Sequence, residues 1–166
     1  MEEIQQSIYK VIDLHYRDAV DVLTLWMRVI SKRELNYERT KEKSNYELRV
    51  EPHGVGFRMR WFHIKFTKNN HKLIRIAKSI PVPENGRYGK EKFKHAEPWE
   101  LELIQQAEDE FCGIRYELKH LLKAHQSILY ASKSKLGNEP LNAILLKDRT
   151  EITKPTFSEI KQSLSR

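Results

Sequence analysis

Cysteine is almost missing from the chain: among 166 residues there is one, Cys112. A single thiol excludes an internal disulfide framework and any zinc site built from several cysteines, and the expectation for Cys112 is a buried, inert side chain. No apolar run approaches the roughly 18 residues of a membrane span, and the opening MEEIQQSIYK is too acidic and polar for a secretory leader. These absences predict a cytoplasmic chain with no membrane partner. Glycines are few and scattered, so no glycine-rich phosphate loop is expected. His53, His63, His71 and His95 are dispersed, no His-x-His pair occurs, and His120 and His125 lie five apart on a predicted helix, a poor spacing for chelation. Neither a metal nor another cofactor is expected, and no catalytic constellation is visible.

The most telling absence is local. From Gly56 to Ile80, GFRMRWFHIKFTKNNHKLIRIAKSI, there is no acid, yet there are seven fixed cations: Arg58, Arg60, Lys65, Lys68, Lys72, Arg75 and Lys78. Over residues 54–96 eleven Lys and Arg face two acids, a local balance of +9 against +7 for the whole chain. The stretch that follows, EPWELELIQQAEDE, holds six acids and no base. Basic character is therefore concentrated. A pI near 9.4 with this distribution favours an anionic partner, nucleic acid first.

What is present organises into few elements. Ile4, Ile8, Val11, His15, Ala19, Val22, Trp26 and Val29 recur at three- and four-residue steps, predicting a helix over 3–31, with Ile12, Leu23 and Ile30 widening its apolar stripe. NYELRVE alternates as a half-buried strand, and PHGVG provides a turn. Phe57, Met59 and Trp61 alternate with Arg58 and Arg60. The phase then slips to Phe62, Ile64 and Phe66, which predicts a bulge near Trp61–Phe62. TKNNHK marks a hairpin with positive φ at Asn69–Asn70, and the return strand carries Ile74 and Ile76. After the loop PVPENGRYGKEKFKHA, Pro98 opens a long helix. Its seam runs through Ile104, Ala107, Phe111, Ile114, Leu118, Leu121, His125 and Ile128 and suits packing on the N-terminal helix. His15 and His125 are expected to be satisfied seam histidines, and the acids of the second helix's first turns to complement its dipole. Thr156 and Glu159 fit a capping box for a short terminal helix.

The expected fold is thus α+β: a long N-terminal helix and a long C-terminal helix packed against a small three-stranded antiparallel sheet, a β-meander. It forms one domain over 1–136, and a C-terminal arm over 137–166 bears a short amphipathic helix. The strand pair should bury one face and present Arg58, Arg60 and, across the hairpin, Lys72, Arg75 or Lys78 together on the other. A two-stranded ribbon fits the B-DNA major groove, about 12 Å wide, and arginine and asparagine can read base edges. Lys68, Asn69, Asn70 and His71 would sit at its tip, and Arg87, Tyr88, Lys90, Lys92 and Lys94 would add backbone contacts from the loop. A solvated outer face explains cations too, but such a face normally mixes signs, and this one has no acid. Two ribbons would suit a palindromic site, so a homodimer is compatible with the sequence without being required by it.

The order of a long helix, the strand RMRWFHIKF, and KFKHAEPWELELIQQAEDEFCGIR leading into a Leu-rich helix resembles the MobI-type conjugative mobilization proteins. The likeness covers residues 57–122: the Trp61 strand, the basic loop with Tyr88 and Phe93, Trp99-Glu100, and Glu110-Phe111 to Arg115. The resemblance implies an auxiliary factor that recognises the origin of transfer in double-stranded DNA and helps a separate relaxase, without nicking DNA itself. It implies DNA contacts first from Arg58, Arg60, Lys65, Lys72, Arg75 and Lys78, and second from Arg87, Lys90, Lys92 and Lys94, with Trp61 and Trp99 as core anchors. The alternative is a small metal-independent ribonuclease or RNA-binding protein using the basic sheet face, with His63, His71 or Tyr88 near the phosphate. A third reading is a protein-interaction module whose 104–128 seam engages a partner helix.

Overall fold

Helix α1, Glu2–Asn36, has no glycine or proline to interrupt it, opens on Glu2 and Glu3 and closes on Arg33, the order its dipole favours. The chain is described by a computed structural model over residues 1–36, 43–69, 71–134 and 139–165. The helix runs past the predicted end at residue 31 through polar residues 32–36, and residues 37–42 lie outside the described residues. The buried line is Gln5, Ile8, Ile12, Tyr16, Ala19, Leu23, Trp26 and Ile30. It is rotated from the predicted stripe, leaving Ile4 and Val11 exposed. Turning this way buries the rings of Tyr9 and Tyr16, which remove more apolar area from water than the smaller side chains they displace. The Tyr9 hydroxyl accepts from Gln5 Nε2 at 3.0 Å and from the Ile144 amide at 2.8 Å, which leaves its own proton for His125 Nε2 at 2.9 Å. Burial, with Arg149 next, lowers the His125 pKa, consistent with a neutral ring that accepts. His15 lies 2.8 Å from Glu117. His125 is thus the satisfied seam histidine expected, whereas His15 Nε2, though close to Glu117, makes no hydrogen bond.

Helix α2, Pro98–Lys133, starts with its proline in the first turn and buries Ile104, Ala107, Phe111, Ile114, Leu118 and His125. That is the predicted seam, and α1 is the helix it packs against. Cys112, beside it, is only half-buried. The sheet has strands β1 (Tyr46–His53), β2 (Gly56–Asn69) and β3 (Lys72–Ser79) in the order β1-β2-β3, all antiparallel, so the fold is the α+β meander expected. The helices cover the face that carries Leu48, Val50, Phe57, Met59 and Trp61: Trp26 meets Trp61 edge-on at 4.8 Å and Tyr16 meets Phe57 at 5.3 Å.

The predicted bulge is absent. Pairing runs unbroken from Tyr46↔His63 to His53↔Gly56 and from Phe62↔Ser79 to Asn69↔Lys72. The second apolar set exists because Phe62 and Ile64 are buried on the opposite face, where the Arg49 and Arg60 guanidiniums lie 4.0 and 5.3 Å from the Phe62 ring centre. At the hairpin tip the pairing ends at Asn69↔Lys72, and the positive φ falls on His71, at 65°. Asn69 ends β2, and Asn70 lies outside the described residues.

The C-terminal segment returns to the body. Leu146, in the short helix α3 (Leu146–Arg149), is fully buried and its amide donates to the Gly54 carbonyl at 3.0 Å. Helix α4, Phe157–Leu164, begins with the predicted Thr156–Glu159 capping box and sets Ile160 against α1. Among the described residues no helix is long and apolar enough to cross a membrane.

Candidate nucleic-acid interface

Strand register decides which cations share a face, because side chains alternate along each strand. Glu47, Arg49, Glu51, Arg58, Arg60, Lys68 and Arg75 lie on the sheet face opposite Leu48, Val50, Met59 and Trp61, and Glu47 and Arg75 border a groove whose far wall is Trp26, Met27 and Ile30 of α1. His63, Lys65, Asn69, Lys72 and Lys78 lie on the face that continues from the buried core. The expected single cationic surface of Arg58, Arg60, Lys72, Arg75 and Lys78 is therefore split in two. The reading assumed a slipped phase at Trp61, and an unslipped strand sends every later residue to the other side.

The arginines are also engaged. Arg60 pairs with Glu51, Arg75 with Glu47, Arg87 with Asp109, and Arg58 contacts His53. Burial works against the Glu47 charge, but Arg49 and Arg75 outweigh it and hold its carboxyl below the usual range. By contrast, no ion pair is formed among the described residues by Lys65, Lys68, Lys72 or Lys78. These lysines occupy the part of the hairpin that outruns the sheet. Strand β1 ends its pairing at His63, whereas β2 and β3 stay paired from Ile64↔Ala77 to Asn69↔Lys72, a two-stranded arm about 20 Å long.

A cleft lies where the base of this arm meets the loop between β3 and α2. It measures about 480 Å³ and is lined by Tyr46, His63, Lys78, Lys92, Lys94 and His95, among others. The His63 and His95 rings stack at 4.7 Å with 7° between planes, and Tyr46 stacks on His63 at 5.2 Å. Two histidines read as dispersed are thus brought together. Glu91 also lines the cleft, with its carboxylate folded back against Gly89. Lys90 and Lys92 bracket the exposed 3₁₀ turn of the same loop.

Two buried glutamates hold this loop and the sheet in place. Glu108 accepts at Oε1 from Trp61 Nε1 (2.8 Å) and Arg115 (2.9 Å), and at Oε2 from the Tyr88 amide (2.9 Å) and Arg115 (2.8 Å). Arg115 donates further to the carbonyls of Gly86 at 2.8 Å and Met59 at 3.3 Å. The loop is thereby tied to β2 through one carboxylate, and the fully buried Tyr88 donates its hydroxyl to the Ile80 carbonyl at 2.9 Å. Glu100 accepts from the amides of Asn45 and Tyr46 at 2.9 and 3.0 Å and from Ser44, fixing the start of β1. Burial raises the Glu100 pKa, and those donors offset part of the rise. Sequence reasoning took these acids for dipole partners. The spacing of Glu108 and Arg115, seven apart and on one helical face, was the signal it passed over.

The three groups named for a ribonuclease do not assemble: His63 is in the cleft, His71 at the arm tip, and Tyr88 inside the core. Among the described residues no group of three or more His, Cys, Asp or Glu could hold a metal ion. Together the features define a class, a small α+β scaffold that presents unpaired lysines on a projecting arm and a basic cleft. The chain belongs to the MobI protein family, which it matches over residues 16–129, a span that includes all three strands, the basic loop and most of both long helices. It is therefore a mobilization-related protein. Comparison with curated proteins and with solved structures gives no match.

Proposed function

We propose that the chain is a double-stranded DNA-binding accessory protein that recognises the origin of transfer and assists a separate relaxase in starting conjugative DNA transfer, working in the cytoplasm. The observation that carries the reading is the acid-free arm, basic on both faces, in a member of a mobilization family. A groove has two phosphate walls, so cations on both faces of an inserted ribbon each have a partner, which a one-sided surface would not achieve. Lys65, Lys68, Asn69, Lys72 and Lys78, with Asn70 in the tip, supply the arm contacts, and Lys90, Lys92 and Lys94 extend them along the loop. Arg58, Arg60, Arg75 and Arg87 contribute only by exchanging their present partners for phosphate.

A gel shift with the element's transfer-origin fragment against a scrambled competitor tests the reading. Preferential retention of the origin fragment is expected, and equal binding to both would remove sequence recognition. If about six cations meet phosphates, affinity should fall roughly 10³-fold between 50 and 200 mM salt. A salt-independent complex would point instead to the protein-interaction reading, and preference for RNA to the alternative ligand.

The cleft adds a pH dependence. Burial, then His95, Lys65 and Lys78, lowers the His63 pKa below 6.5, so the ring is neutral in the free protein near pH 7. A phosphate in the cleft favours the imidazolium, so DNA affinity should rise as pH falls from 8 through 6, and His63→Ala should flatten that rise. Stability runs the other way. The folded pKa lies below the unfolded one, so His63 costs nothing above pH 6.5 and destabilises the fold as pH drops through that value and below. Anisotropy at constant ionic strength checks the first, and thermal melting across the same range the second.

A further inference from the structure

The arm carries more than charge. Phe66, Leu73, Ile74 and Ile76 are 57, 65, 41 and 48% exposed, four large apolar side chains on a ribbon with no core of its own. Isolated exposed apolar residues are ordinary, but here they are ordered. On the sheet face opposite Leu48, Val50 and Trp61, Phe66 sits opposite Arg75 at the mouth of a groove whose other wall is Trp26, Met27 and Ile30 of α1 and Phe157 of α4, and Leu73 sits opposite Lys68 nearer the tip, so two apolar and two cationic side chains form a checkerboard. The cations limit what can cover the apolar pair. A second copy's arm would bring like charges together with no acid between Gly56 and Ile80 to relieve them. A bilayer surface needs one apolar face and one polar face, whereas Ile74 and Ile76 lie on the side opposite Phe66 and Leu73. A ligand that is anionic outside and apolar within, reached through a slot, meets both demands. Stacked bases behind a phosphate backbone are such a ligand.

We infer that Phe66 and Leu73 act as a wedge that enters a base step of bound duplex DNA from the minor groove, unstacking it and bending the site, while Lys68 and Arg75 hold the flanking phosphates. Phe, Leu and Ile are the side chains that wedge-forming architectural proteins insert, and the unstacking costs a few kcal/mol per step, least at flexible pyrimidine–purine steps. The inference rests on the DNA-binding reading above and deepens it: the accessory protein would hand its partner a duplex already loosened at one step.

The test uses the full chain and a set of duplexes tiling the transfer-origin region, each with 2-aminopurine beside a TA step. Wild type should raise the fluorescence of one position in the set. Phe66→Ser with Leu73→Ser should lose that rise yet keep the slope of log affinity against log salt, because no cation is removed. Binding by anisotropy without any fluorescence change, or unstacking that survives the double substitution, overturns the wedge and leaves the DNA-binding reading intact. Failure of wild type to bind any duplex overturns the DNA-binding reading itself. Capture by anionic phospholipid vesicles that depends on Phe66 and Leu73, with no unstacking of DNA, assigns the apolar pair to a membrane and also overturns the wedge. Both side chains are exposed, so the melting midpoint should be unchanged and serves as the folding control.

Discussion

Glu108→Ala should lower the free energy of unfolding by about 3–5 kcal/mol. The carboxylate is wholly buried and makes four hydrogen bonds, to Trp61, to the Tyr88 amide and twice to Arg115. Its removal strands the Arg115 charge, whose side chain is only 9% exposed, and leaves two further donors without acceptors. Against a total of roughly 5–15 kcal/mol for a domain this size, that is a large share. Combining Glu108→Leu with Arg115→Met should cost less than Glu108→Ala alone, because the uncompensated charge goes with its partner. The recovery should stay incomplete, since Arg115 also serves the Gly86 and Met59 carbonyls. Urea unfolding of both variants at pH 7 measures the difference. A single-variant loss below about 1 kcal/mol would mean that the pair does not tie the basic loop to β2.

The helices and strands were legible in the sequence because local pattern controls them. The α2 seam, the Tyr46–Val50 alternation, Pro98 in the first turn and the Thr156 cap each follow from spacing within one element, and each stands where it was expected. What failed depended on a count carried along a strand. Two apolar residues on the second face, Phe62 and Ile64, looked like a slip in phase, because that face is covered too: two arginine planes lie by Phe62, and Ile64 shares a groove with Trp26, Met27, Ile30 and Phe157. From Phe62 onward the sides of β2 were misassigned, and with them the grouping of the cations, whereas Ile74 and Ile76 alternate with Arg75 in β3 as expected. The α1 stripe was off by a fraction of a turn for a related reason: Tyr9 is buried with partners over a hundred residues away, His125 and Ile144, and Tyr16 against Phe57 of β2, which no local period reveals. The His63–His95 stack belongs to the same category, since only the fold of the loop onto β2 brings those rings together. At the candidate site the residue types were visible, whereas their sorting into free and engaged groups was not.

That sorting sets the second large effect. Lys65→Gln, Lys72→Gln and Lys78→Gln together should weaken DNA binding by about 10²–10³-fold at 0.1 M salt and reduce the magnitude of the salt slope by about 3, since each phosphate contact contributes roughly 0.9 to it. All three lysines are exposed, lie on one face and have no ion-pair partner among the described residues, so the substitution frees no buried group. Melting should shift by no more than about 0.5 kcal/mol. Arg58→Gln with Arg60→Gln makes the contrasting pair. Arg60 is held by Glu51 and lies over Phe62, and Arg58 contacts His53, so a phosphate must displace those contacts before it gains anything. Their loss should therefore cost less than about tenfold in affinity, with a salt slope smaller by under 1, and some stability as the cover over Phe62 is removed. The two variant sets remove three and two positive charges on opposite faces of one sheet. A larger loss from the arginine pair would place the polyanion on the sheet face opposite Leu48, Val50 and Trp61, at the β1–β2 end, and would separate DNA binding from the arm altogether.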